Sequence, residues 1–186
     1  CIRDRPTAWI TGVLVIQMFN STHDLIFEWN AWDHLDISDY NNLNLQSSAI
    51  EWMHGNSIEW DENNEILLSN RASNEILKVN LENGTVIWHL GGPLNEFNFI
   101  NDDREGFRMQ HDVRRLDNGN ILLFDNGVTH SPPVSRAVEY QINENDMTAN
   151  LVWEYIHPDT LVGFSMGSVQ RLENNNTLIN WGTIHN

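Results

Sequence analysis

The chain has 186 residues, 40% of them hydrophobic, with eight tryptophans and a formal net charge of −16. That length predicts one domain with its own core, and the aromatic content excludes a disordered chain. The charge excludes nucleic acid, which needs a basic footprint, and an anionic membrane surface as partners.

An anionic small molecule can then bind only where the site makes its own positive field. Cys1 is the single cysteine, so no internal disulfide forms and the redox compartment is not readable. No signal peptide is visible, and both ends read as cut.

The first apolar run, "WITGVLVIQMF" (Trp9 to Phe19), is shorter than the roughly 20 residues that span a bilayer and predicts a strand. "LIFEWN" predicts a strand closing at Trp29. "WNAWDHLDISDY", which contains His34, predicts a connection between units or a substrate-lining loop. "WMHGNSIEWDENNEILLSN" (Trp52 to Asn70) reads as strand, polar turn and strand. "LENGTVIW" places an Asn-Gly turn at Asn83-Gly84 before a strand closing at Trp88. In "FRMQHDVRRLDNGNILLFDNG", Asn118-Gly119 suits a type I′ turn, whose two central residues need positive φ, and "FDNG" reads as a further turn. "SRAVEY", "LVWEY" with Trp153, and "LENNNTLIN" complete the series.

These units repeat. Ile66, Ile121 and Leu178 are read as holding one place after their turns, in steps of 55 and 57 residues. Trp29, Trp88 and Trp153 recur in steps of 59 and 65. A period a little above 50 fits a blade of four antiparallel strands, and so an all-β β-propeller. A β-sandwich leaves the period unexplained. At about 57 residues per blade the chain makes three to three and a half blades, where a closed ring takes about four to eight. Residues 1–186 are therefore expected to be one partial propeller domain, a piece of a longer protein lacking N-terminal blades and C-terminal closure.

His54 and His111 each fall near the start of the strand leading into a turn, with polar neighbours Asn56 and Asp112. In a propeller the innermost strands face one channel, so these histidines can meet although distant in sequence. Arg71 lies one hairpin beyond His54 and can return to the same end. Arg136 is a second strand-end arginine, and of Arg114 and Arg115 at most one points inward. Ser168 is read as the residue at this place in the third unit. A structural role for the histidines stays open. A zinc site does too, although no His-x-His or His-x-x-x-His spacing supports it.

Together "WMHGNSIEWDENNEILLSNRASNEILKVN", "TVIWHLGGP", "FRMQHDVRRLDNGNILLFDNG", "SRAVEYQI" and "MGSVQRLENNNTLINWG" resemble the bacterial arylsulfotransferases, in the family's order over roughly residues 25 to 182. The resemblance implies a six-bladed propeller and an exported protein, periplasmic or secreted. It implies transfer of a sulfuryl group from an aryl sulfate to an acceptor phenol without a nucleotide donor, cofactor or metal. It makes His111 the nucleophile that becomes a sulfohistidine in a ping-pong cycle, with His54 and Arg71 catalytic and Asn56 orienting the sulfuryl group. A histidine of an earlier blade has no clear counterpart, and His34 is the candidate for substrate binding there. For a family threonine near the last motif, Ser168 is the nearest hydroxyl and Gly167 the competing place. An N-terminal β-sandwich of the family is missing. The piece alone is expected to be inactive. A non-catalytic binding propeller, or an inactive relative, is the alternative.

Overall fold

The computed structural model describes residues 9–184; Cys1 lies outside them. Strands β1 (Trp9–Thr11), β2 (Val15–Phe19) and β3 (Leu25–Asn30) are followed by one helical turn, α1 (Ala31–His34), and a 3-10 turn (Ile37–Asp39). Strand β4 (Ala49–Glu51) pairs parallel with β1. Strands β5 (Gly55–Asp61), β6 (Glu65–Asn70), β7 (Glu75–Asn80) and β8 (Val86–Gly91) form an antiparallel sheet in chain order. After the short β9 (Asn98–Ile100), that layout recurs in β10 (His111–Arg115), β11 (Ile121–Asp125), β12 (Arg136–Asn143) and β13 (Thr148–Ile156). Strand β9 adds to the outer edge of β13 in parallel. The hairpin β14 (Ser168–Arg171) with β15 (Thr177–Asn180) comes last. No helix among the described residues is long and apolar enough to cross a membrane.

The apolar runs are continuous because the middle strands are covered on both faces. Ile66, Leu68, Leu77 and Val79 share one core with Ile16, Trp29, Tyr40 and Trp52. Their neighbours Leu67 and Ile76 point the other way, into a core with Val113, Ile121, Leu123, Val138 and Tyr140. Leu122, Phe124 and Ala137 then face Val169 in a third. The alternation of strand side chains thus stacks sheet, core and sheet in succession. Trp88 faces Lys78 and Trp153 faces Glu139, equivalent places in the two large sheets. "WNAWDHLDISDY" is the connection from β3 toward β4, and it supplies the buried Tyr40.

Three local expectations are corrected. "WITGVLVIQMF" is two strands, because Gly12 turns at φ +70° and a side chain there would meet the Met53 carbonyl oxygen at 2.1 Å. Asn118 does not share the positive φ of Gly119; a turn closes from Leu116 to Gly119 and Gly119 alone is left-handed, the three-residue hairpin form. The paired positive φ values that a type I′ turn needs occur at Asn63 and Asn64 instead. The third repeat is displaced by one: Ile66 faces Trp60, Ile121 faces Arg115, and it is Thr177, not Leu178, that faces Arg171. Leu178 then takes the place of Leu122, on the face of the last hairpin that no described residue covers, and is 62% exposed.

Candidate functional site

Antiparallel meanders bring the start of the first strand beside the end of the second, and the site forms at that end of both large sheets. The peptide N–H of Arg71, just past β6, donates to the carbonyl of His54, just before β5, at 2.9 Å. The buried Asn70 Oδ1 accepts from the N–H of His54 at 2.7 Å. Backbone bonds therefore hold His54 and Arg71 side by side, independent of their side chains.

The neighbouring sheet presents His111. Gln110, fully buried, clamps its Nε2 onto the previous sheet by donating to Ser69 Oγ (3.1 Å) and to the carbonyls of Asn70 (3.2 Å) and Glu75 (2.9 Å). The Gln110 carbonyl accepts from Asn56 Nδ2 at 2.7 Å. His111, next in sequence, is thus set against the β5–β6 end.

His111 Nδ1 lies 2.7 Å from Asn126 Oδ1 and 3.2 Å from the Met109 carbonyl. Among the described residues Nε2 has no hydrogen-bond partner. Burial holds the pKa of His111 below its ordinary 6.5, and the positive charges of Arg71 and His54 push the same way against the hydrogen bonds to Asn126 and Met109. His54, Arg71 and His111 therefore share one electrostatic neighbourhood.

Arg71 reaches across the sheets, its Nη2 donating to the Phe164 carbonyl at 3.2 Å and lying 3.8 Å from Met109 Sδ. Its Nε is buried without a partner, as is Asn56 Oδ1. Among the described residues it has no carboxylate in ion-pair range, a property shared with Arg104 and Arg108, whereas Arg114, Arg115, Arg136 and Arg171 all do. An uncompensated guanidinium in a chain of net charge −16 is the local positive field an anion requires. His54 Nδ1 sits 2.5 Å from Glu51 Oε1, both about half-exposed.

The two histidines do not hold one repeat position. His111 faces Phe124, and the residue facing the equivalent Ser69 is Ser57, so His54 lies outside the ladder. Bulges at the start of each inner strand, after Gly55 and after His111, blur the count. Ser168 faces Asn180 as His111 faces Phe124, so Ser168 rather than Gly167 takes the ladder place. It lies beside Asp112, whose carboxylate accepts from the Val169 N–H at 2.9 Å.

His34 lies elsewhere. It stacks on Trp29 at 5.2 Å and abuts Gly84 in the β7–β8 turn, at the opposite end of the sheet from Arg71. Arg136 is buried and spent on Asp102, Asp125 and Glu154. Arg114 pairs with Asp112 and Glu59, and Arg115 with Asp61. No cluster of three or more His, Cys, Asp or Glu suited to a metal occurs among the described residues.

Asn126 and Gln110 escaped the sequence reading, where "FDNG" is a turn. The repeat held a signal: Asn126 follows Ile121 by five residues, as Arg71 follows Ile66.

A solved crystal structure of a protein of unknown function from Bacteroides caccae is similar at 13% identity and a TM-score of 0.41, over 95% of this chain and 57% of that one. The chain thus spans under two thirds of that protein's length. No curated protein matches. The family model for arylsulfotransferase (ASST) matches residues 13–186, nearly all of the chain. Because that match covers more than half of the chain, the chain belongs to the arylsulfotransferase family.

Proposed function

We propose that the site transfers a sulfuryl group from an aryl sulfate ester to an acceptor phenol through a sulfohistidine. The observation that carries this is His111: its Nδ1 is engaged by Asn126, Nε2 has no hydrogen-bond partner among the described residues, and burial together with the charge of Arg71 holds its pKa down. A neutral imidazole is a competent nucleophile near neutral pH.

In the first half-reaction the Nε2 lone pair attacks sulfur. The N–S bond forms as the S–O bond to the ring breaks, and the electron pair leaves on the phenolate oxygen. Arg71 neutralises the sulfonate oxygens with forked donors, most strongly as charge spreads over them in the in-line transition state. His54 protonates the departing oxygen, with Glu51 orienting its ring. In the second half-reaction His54 takes the acceptor's proton, the phenol oxygen attacks sulfur, and Nε2 regains its lone pair. Asn56 acts on the sulfuryl group indirectly: its Nδ2 holds the Gln110 carbonyl and so places His111, the next residue, toward it.

The two full meanders with flanking hairpins fit successive blades of a propeller around one axis, of which this chain supplies three to three and a half. Activity is assigned to the complete protein, working in the periplasm or outside the cell. A non-catalytic binding role is the second reading, and the distance of His34 from the cluster favours it.

The test is turnover of 4-nitrophenyl sulfate by the full-length protein. Release of 4-nitrophenol that requires an added phenol, a sulfo adduct on His111 by mass spectrometry, and loss of both in His111→Asn are expected. Undiminished turnover in His111→Asn overturns the mechanism; phenol binding with no adduct supports the second reading.

A further inference from the structure

We propose that Asn126 is a positioning residue: it keeps the proton of neutral His111 on Nδ1, and so leaves the lone pair on Nε2. The inference rests on the reading of His111 as the nucleophile.

An asparagine beside a histidine ordinarily leaves the tautomer open, because amide oxygen and nitrogen can exchange places. Here the surroundings decide. Asn126 is fully buried, and its Nδ2 lies 2.8 Å from the Gly163 carbonyl and 2.9 Å from the Met166 carbonyl. Carbonyl oxygens only accept, so both amide protons are spent on them. The side of Asn126 facing the ring is therefore Oδ1, which also only accepts. At 2.7 Å from it, Nδ1 has to be the donor. The Met109 carbonyl, 3.2 Å from the same nitrogen, agrees.

The choice matters because a free neutral histidine favours the other tautomer, in which Nε2 carries the proton and cannot attack. It matters equally that the acceptor is uncharged. A carboxylate in this place would hold the tautomer but favour imidazolium, removing the nucleophile near neutral pH. The contrast lies inside the cluster: His54 Nδ1 faces the Glu51 carboxylate, while His111 Nδ1 faces an amide. The segment carrying Gly163 and Met166 leads into β14, and its Phe164 carbonyl also receives Arg71. Three carbonyls of one strap, those of Gly163, Phe164 and Met166, thus orient the amide and the guanidinium together.

The test joins nitrogen NMR of 15N-histidine-labelled protein with the pH profile of donor turnover. In the full-length wild type, above its titration, His111 is expected in one tautomer with the proton on Nδ1. In Asn126→Ala the population is expected to shift toward Nε2–H, and the donor half-reaction to slow at least tenfold. In Asn126→Asp the tautomer is expected to persist while the acidic limb of kcat/KM moves to higher pH, with activity regained in alkali. A role confined to folding moves neither tautomer nor limb.

A wild-type Nε2–H tautomer overturns the proposal. So does an Asn126→Ala spectrum matching wild type together with an unmoved Asn126→Asp profile. If neither variant folds, the wild-type spectrum decides. An Nδ1–H tautomer without any sulfo adduct on His111 sinks the proposed chemistry and leaves the positioning intact.

Discussion

Arg71 and His54 are joined through their backbones, the N–H of Arg71 donating to the His54 carbonyl at 2.9 Å. Two candidate site side chains seventeen residues apart are thereby fixed by the first rung beyond a strand ladder. Neither side chain is consumed in holding that geometry, so each can be altered without dismantling the sheet end.

Arg71→Ala is accordingly expected to reduce kcat/KM for the aryl sulfate about 10²–10³-fold, the scale for a lost donor to transition-state charge. Stability falls by only about 1 kcal/mol, since one hydrogen bond to Phe164 is lost. Arg71→Lys restores little, because an ammonium lacks the planar fork. Steady-state kinetics beside denaturant unfolding separates the two effects, and an active alanine variant counts against the anion role.

The pH dependence follows from His111. Its folded pKa is lowered, chiefly by burial and then by Arg71 and His54. Neutral nucleophile therefore persists below the ordinary 6.5, and the acidic limb of donor turnover falls under that value. Arg71→Gln removes one of the depressing charges and moves that limb upward. The unfolded chain binds this proton more readily than the folded one. Its contribution to stability is therefore in place above pH 6.5 and is lost as pH falls from there toward the folded pKa. Titrating turnover and unfolding free energy checks both.

Arg136 is a stability residue. Its guanidinium meets Asp102 at 2.9 and 3.0 Å and Asp125 at 2.9 Å, and donates to the Gly106 carbonyl at 2.7 Å. Arg136→Met leaves both aspartates buried without their guanidinium, Asp125 keeping His130 and the Arg108 N–H and Asp102 keeping the Tyr140 hydroxyl and two backbone N–H groups, at a cost of about 3–5 kcal/mol. The denaturation midpoint measures it, and an unchanged midpoint refutes the assignment.

Gly119 and Gly167 both have positive φ but differ in their space. Nothing lies within 4 Å of a side chain added at Gly119, whereas at Gly167 its Cβ would sit 2.4 Å from the Phe124 ring. Gly119→Ala should cost about 1–2 kcal/mol from backbone strain alone. Gly167→Ala should cost about 1–3 kcal/mol more, because a packed ring has to move. Equal costs in thermal or denaturant unfolding contradict this.

The sequence by itself carried the all-β class, the four-stranded repeat and the closing tryptophans. These follow from local turn chemistry and from apolar runs long enough to need cover on both faces. It also carried the histidines and the arginine of the candidate site. The exact register did not follow: bulges after Gly55 and His111 shift the ladder against the count, so His54 and His111 looked equivalent and are not. Only the stacking of sheets decided that Arg71 and His111 share one sheet end while His34 remains at the far turn, because a meander returns one strand end there and carries the other away. Only it turned the "FDNG" asparagine into a partner for His111. Hydrogen bonds from Asn126 to carbonyls of the following repeat, 37 and 40 residues on, leave no local trace in the chain.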